Sequence, residues 1–232
     1  MSNTKLKDKD FIYVVKKYND LRKDNPCHRY ASSDYCFNYF QLKQTKAKKS
    51  FSDDMEYSCN VLGFYLASWG MYRGSSYLLQ NSASIFKGLI EYIDEMDKVY
   101  WTIDVPEFTD ENIEFLISLY NQIAKKIKLD NRKKVTLITK IMLGIWGCVP
   151  AYDSYFTKTF SNIFAGECAF TSFNKKSLES IKKFYEAYQL DIDCLAKDGD
   201  YRTLDFNTGE MTNLPYTKSK IIDMYGFQKS YK

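Results

Sequence analysis

Apolar side chains recur along this chain at the three- and four-residue spacing of helices, and two long uncharged stretches interrupt the amphipathic pattern. Phe11, Val14, Val15, Tyr18 and Leu21 mark a first helix that Asp10 can cap and that stops before Pro26. Ser32 or Ser33 caps a second, with Tyr35, Cys36, Tyr39, Phe40 and Leu42 as its inward face. Residues 43–50 follow as a lysine-rich, solvated connector. Ser52, Asp53 and Asp54 open a third helix, because carboxylates in a first turn face the positive end of the helix dipole. That helix is expected to run through the first uncharged stretch, Tyr57–Tyr72, where Gly63, Ala67, Gly70 and Gly74 share one face and predict a close helical neighbour.

The same periodicity predicts helices over Ile85–Met96 after Ser82 or Ser84, over Ile113–Ile123 after Thr109, and over Val135–Gly147 after Asn131. Two more follow over Ala151–Phe164 and, after Asn174, over Leu178–Leu195. Tyr100–Val105 is short, apolar and stopped by Pro106, which predicts a strand or an extended connector. Asn207-Thr208-Gly209 is turn chemistry between Tyr201–Phe206 and Glu210–Asn213, a small hairpin, and a short helix over Thr217–Tyr225 comes last. The reading is a single all-α domain over residues 1–232, a bundle of about eight helices with a small C-terminal β-hairpin. Tyr57–Leu79 and Arg132–Gly147 are its expected central pair.

Composition supports this. Aromatic residues make up 17% of the chain while glycine and proline number only 10 and 4, so turns are scarce and long elements are favoured. The uncharged stretches fall short of the roughly 20 apolar residues that cross a bilayer. Met1–Asp10 alternates lysine and aspartate without an apolar segment, so the expectation is a cytoplasmic protein, a monomer or small oligomer, with no membrane partner. Six cysteines lack any CxxC spacing and the chain has one histidine, His28, so neither a metal nor a cofactor is called for. Cys27 beside His28 suggests a thiol nucleophile, but adjacent residues seldom place sulfur and imidazole for proton transfer; a hydrogen-bonded histidine at a helix entry is the alternative.

Charge singles out three further places. Lys125, Lys126, Lys128, Arg132, Lys133 and Lys134 crowd against Asp130 alone, a run that can track the phosphates of DNA or RNA or serve as a solvated helix end. Arg73 closes the first uncharged stretch beside Trp69, and a guanidinium there needs an acid such as Asp153 or Glu167, or a bound anion. Lys140 opens the second stretch, Ile141–Tyr152, which holds Trp146 and Tyr152 and ends at Asp153. Trp69, Trp146 and Tyr152 are the aromatic side chains expected to meet a ligand with Arg73. Lys140 can instead snorkel to solvent, and Asp153 can serve a helix N-terminus.

Thr139-Lys140 followed by Val149-Pro150-Ala151-Tyr152-Asp153 resembles the lysine and aspartate of bifunctional helix-hairpin-helix DNA glycosylases, an almost wholly helical family. The resemblance implies that Lys140 attacks the sugar carbon from which a damaged base leaves, forming a Schiff base, and that Asp153 assists. Its glycine-rich hairpin has no counterpart before Lys140, which follows Asn131–Val135 inside the expected helix. The working expectation is therefore a nucleic-acid-binding protein, catalytic through Lys140 and Asp153, with any protein partner left open. The alternatives are a noncatalytic interaction module and a small-molecule enzyme in which Arg73 holds an anionic substrate.

Overall fold

The computed structural model describes residues 10–45, 50–129 and 134–231. Among these, ten α-helices and one two-stranded sheet follow in order: α1 (Phe11–Lys23), α2 (Ala31–Gln44), α3 (Met55–Ser68), α4 (Lys87–Asp94), α5 (Asp110–Lys126), α6 (Val135–Ile145), α7 (Ser154–Ile163), α8 (Lys175–Ala187), α9 (Gln189–Lys197), β1 (Arg202–Leu204), β2 (Met211–Pro215) and α10 (Lys218–Ser230). The all-α class and the C-terminal hairpin are as expected, with β1 and β2 antiparallel. No helix of the described residues is long and apolar enough to cross a membrane.

The centre of the fold differs from the expected pair. α10 packs against α1 and α7, while α2, α3 and α6 pack on one another. α10 is buried from Ser219 to Gln228, with Ser219, Lys220, Asp223 and Gln228 buried among its apolar residues. Those polar positions break the apolar period, which is why the sequence suggested only a short terminal helix. Each has a partner: Ser219 Oγ donates to Cys148 O at 2.9 Å, Lys220 Nζ to Tyr18 OH at 3.2 Å, and Gln228 Oε1 accepts from Tyr30 OH at 3.5 Å. Phe11 stacks on Tyr188 and lies 5.0 Å from Tyr225, ring centre to ring centre, so α1 is held by the last helices of the chain.

Several boundaries move for local reasons. α3 stops at Ser68, and Gly70 and Gly74 take positive φ of 74° and 59°, so the expected small-residue stripe does not form. The close approach of α3 to α6 comes from Gly144 instead, where an added Cβ would overlap the Tyr65 ring, and Tyr65 OH donates to Lys140 O at 3.1 Å. Ser32 and Ser33 lie inside α2, their hydroxyls donating to Arg29 O and Tyr30 O. Leu42 of α2 is exposed rather than inward. Lys43 is no solvated connector: it is buried and pairs with Asp54 at 2.6 Å. Tyr100–Val105 forms no strand and is extended only at Ile103 and Asp104, because Lys98–Thr102 and Val105–Glu107 form 3₁₀ turns on either side, the second closed by a capping box from Asp104 to Glu107. The helix expected over Leu178–Leu195 breaks at Tyr188 into α8 and α9.

Candidate functional site

Asp153 stands at the N-terminus of α7, and its two oxygens are used differently. Oδ1 accepts from Tyr155 N and Phe156 N at 3.0 Å each, capping the helix. Oδ2 accepts from Lys140 Nζ at 3.1 Å. The Lys140 side chain is 4% exposed and that of Asp153 14%, so the pair is nearly dry and meets solvent on the carboxylate side.

The turn that carries Asp153 is fastened at Gly147, Cys148, Ala151 and Tyr152. Thr136 Oγ1 donates to Tyr152 O at 2.7 Å, and Thr139 Oγ1 accepts from Tyr152 N at 2.9 Å, so α6 grips the turn one residue before the carboxylate. From the other side, Thr217 Oγ1 donates to Gly147 O, Ser219 Oγ to Cys148 O, and Asp223 Oδ1 accepts from Ala151 N. Asp104 holds the start of α10 in place through Lys218 N and Ser219 N. Burial pushes its carboxyl above the usual range, against the pull of those donors.

Trp69, just past the end of α3, lies against this pair. Lys140 Nζ stands 4.8 Å from its ring centre, Lys220 Nζ 5.7 Å and the Arg29 guanidinium carbon 5.4 Å. Tyr18, Tyr30 and Trp69 stack in a column with successive centroids 4.3 and 5.5 Å apart. Three cations around one indole are favourable for the π system, and two of them, Lys140 and Lys220, are balanced by carboxylates of their own. Lys220 in turn pairs with Asp223 at 3.1 Å. Sequence reading did not single out Thr136, Lys220, Asp223, Asp104 or Arg29; the polar breaks in the last helix were the only signal.

Trp146 and Tyr152 belong elsewhere. Trp146 is buried against Trp101, ring centres 5.7 Å apart, and Tyr152 is buried with its ring parallel to Phe156 and its hydroxyl on Ser177 Oγ. Neither side chain presents a surface to a ligand, which corrects the expectation for both; their place in an uncharged stretch reflects core packing.

Arg73 is exposed and folds back over Gly70, next to Trp69 in the chain. Among the described residues it forms no ion pair, since Asp153 is taken by Lys140 and Glu167 lies near Lys183. It lines a cleft of about 400 Å³ with Ser75, Ser76, Tyr77, Lys134 and Leu137. Lys140 and Asp153 are not among the walls of that cleft, so the three charges do not share it. In comparisons with family models, with curated proteins and with solved structures, nothing matches this chain.

The structure brings Arg73 instead to the basic run. Tyr77 OH donates to Ile127 O at 2.8 Å and Lys128 O at 3.1 Å, tying the loop after Arg73 to the end of α5, where Lys125 and Lys126 occupy the last turn. Lys126 Nζ lies over the Tyr92 ring and Lys134 Nζ over the Tyr77 ring at 4.7 Å. Lys128 is exposed with φ of 53°. Arg132, Lys133 and the expected cap Asn131 lie outside the described residues. At the other candidate, His28 Nδ1 accepts from Tyr30 N at 3.4 Å at the entry to α2, the ordinary structural role.

Proposed function

We propose that this protein binds nucleic acid and excises bases from it, with Lys140 as the amine nucleophile and Asp153 as the assisting carboxylate. The observation that carries the reading is the 3.1 Å contact of Lys140 Nζ with Asp153 Oδ2, held by a turn anchored from both sides. An amine attacks through its lone pair, so a proton must first leave Lys140, and Asp153 Oδ2 is placed to accept it. The N–C bond then forms at the sugar carbon while the glycosidic bond breaks and its electron pair departs with the base. Asp153 passes its proton to the departing base, takes a second from the bonded nitrogen and delivers it to the sugar ring oxygen as the ring opens, leaving a protonated imine.

Arg73, Lys134 and the end of α5 supply the phosphate contacts in this reading, a sequence-independent attraction that weakens with salt. Borohydride reduction in the presence of a panel of damaged duplexes tests it. A covalent adduct that disappears in Lys140→Gln is the expected result; no adduct on any duplex, or one that persists in that variant, overturns the catalytic assignment. A second reading, a small-molecule enzyme, is favoured by the cleft itself, whose Arg73, Ser75 and Ser76 suit a compact phosphate or carboxylate.

A further inference from the structure

The Arg73 cleft carries two cationic heads on walls that fix where they stand. The Arg73 guanidinium rests against Gly70, its atoms 3.5 Å from the point where a side chain at 70 would begin, and Gly70 is itself part of the wall. Lys134 Nζ stands 4.7 Å from the centre of the Tyr77 ring, another wall of the cleft. That ring is anchored in turn, since Tyr77 OH donates to Ile127 O and Lys128 O. The two cations thus come from different segments, the loop after α3 and the entry to α6, and border one concavity of about 400 Å³, a size usual for small-ligand pockets.

Hydroxyls complete the donor set. Ser75 is exposed on the same wall. Ser76 Oγ accepts from Leu79 N at 3.3 Å, which leaves its hydroxyl proton to donate elsewhere. Among the described residues no carboxylate lines the cleft, and the remaining side chains on its walls are apolar. A guanidinium fork, an ammonium and two hydroxyls offer more than an internal phosphodiester can use, because that group has one charge and two unesterified oxygens. A terminal phosphomonoester carries nearly two charges and three such oxygens.

We propose that this cleft seats the terminal phosphomonoester of a nucleic-acid strand, with Arg73 binding two of its oxygens and Lys134 the third. The inference rests on the nucleic-acid reading above and deepens it: the strand is held by its end, so a phosphorylated terminus or break is told apart from continuous backbone. Because Lys140 and Asp153 lie outside these walls, the bound end and the reacting sugar belong to different nucleotides.

Fluorescence anisotropy of the whole chain with an internally labelled single-stranded oligonucleotide tests this, with phosphate at the 5′ end, at the 3′ end or at neither. A phosphate at one of the two ends should tighten binding about tenfold over the strand with two hydroxyl ends, the gain from one set of charge-assisted contacts. Arg73→Gln and Lys134→Gln should each bring that ratio toward one. Lys125→Gln, outside the cleft on the last turn of α5, should weaken all three strands alike and keep the ratio. Equal affinity for the three strands, or a ratio unchanged in Arg73→Gln, overturns the proposal while leaving nucleic-acid binding in place. Failure of every strand to bind at low salt overturns both. Inorganic phosphate or adenosine monophosphate that binds as tightly as the phosphorylated strand assigns the cleft to a small phosphate compound and overturns the strand as its source.

Discussion

Thr139 Oγ1 accepts the Tyr152 amide proton at 2.9 Å, and this bond ties the residue beside Lys140 to the residue beside Asp153. The residues bonded are the immediate neighbours of the pair, one on α6 and one on the turn. Thr139→Val keeps the shape of the side chain but leaves the Tyr152 amide buried and unpaired. The expected cost is about 1–3 kcal/mol, read from urea unfolding. The yield of borohydride adduct should fall in the same variant, because the carboxylate is no longer held.

Asp153 both caps α7 and balances a buried ammonium, and the two roles separate by substitution. Asp153→Asn can keep the cap yet strands the Lys140 charge, whereas Asp153→Ala loses both. We expect the alanine variant to be less stable than the asparagine variant by about 1 kcal/mol, the worth of a cap. Adding Lys140→Met to Asp153→Asn should recover stability, since the uncompensated charge is then gone. Denaturation of the single and double variants gives the coupling directly; a double variant less stable than Asp153→Asn would show that the ion pair is not what the asparagine disrupts.

Gly144 is where α3 and α6 come closest. Gly144→Ala forces a methyl into the Tyr65 ring, with an expected loss of about 1–3 kcal/mol. A smaller side chain at 65 should make the alanine tolerable, so Tyr65→Leu and Gly144→Ala together should cost less than the sum of the two. Thermal unfolding of the four proteins reads the difference; strict additivity would place the contact elsewhere.

The helical class and the hairpin were legible in the sequence because each rests on a local signal, apolar period and turn residues. Lys140 and Asp153 stood out as charges bordering an uncharged run, but only the family resemblance paired them, and Arg73 was an equal claimant for Asp153. Whether Arg73 shares a cleft with Lys140 and Asp153 was not legible in the sequence: Gly70 takes a positive φ just past α3, and Arg73 lines its cleft with Lys134 instead. Trp146 and Tyr152 illustrate a second limit. An aromatic in an uncharged stretch reads the same whether it faces a ligand or the core, and only packing decides. The largest gap was α10, whose buried Ser219, Lys220 and Asp223 look like surface residues until their partners on the 146–153 turn, α1 and Asp104 are known.

Burial raises the phenols of Tyr18, Tyr65, Tyr152 and Tyr216 above their ordinary value of 10.0. An acid that is harder to ionise when folded contributes stability that is complete below its unfolded value and is lost as pH climbs toward its folded one. The protein should therefore unfold cooperatively on the alkaline side, above a pH of about 10. Tyrosinate absorbance and helical circular dichroism should change together there; tyrosinate appearing fully before any loss of helix would contradict the burial of these rings.

Arg73 and Lys134 should each contribute about one phosphate contact. Arg73→Gln and Lys134→Gln are expected to lower the slope of binding against salt by about one apiece while sparing the trapped adduct at low salt. Flat salt dependence in the unaltered protein, with weak retention even at low salt, would remove nucleic acid from consideration.

α1 and α10 lie at opposite ends of the described chain, yet Phe11 meets Tyr225 and Tyr18 meets both Lys220 and Phe227. During synthesis the apolar side of α1 must therefore wait, uncovered, until residues 218–230 have left the ribosome. Contacts spanning such a length of chain slow folding. α1 is thus the segment of this protein with the longest need of a chaperone's shelter, and a ribosome stalled before residue 218 would present it as a sticky, unfinished surface.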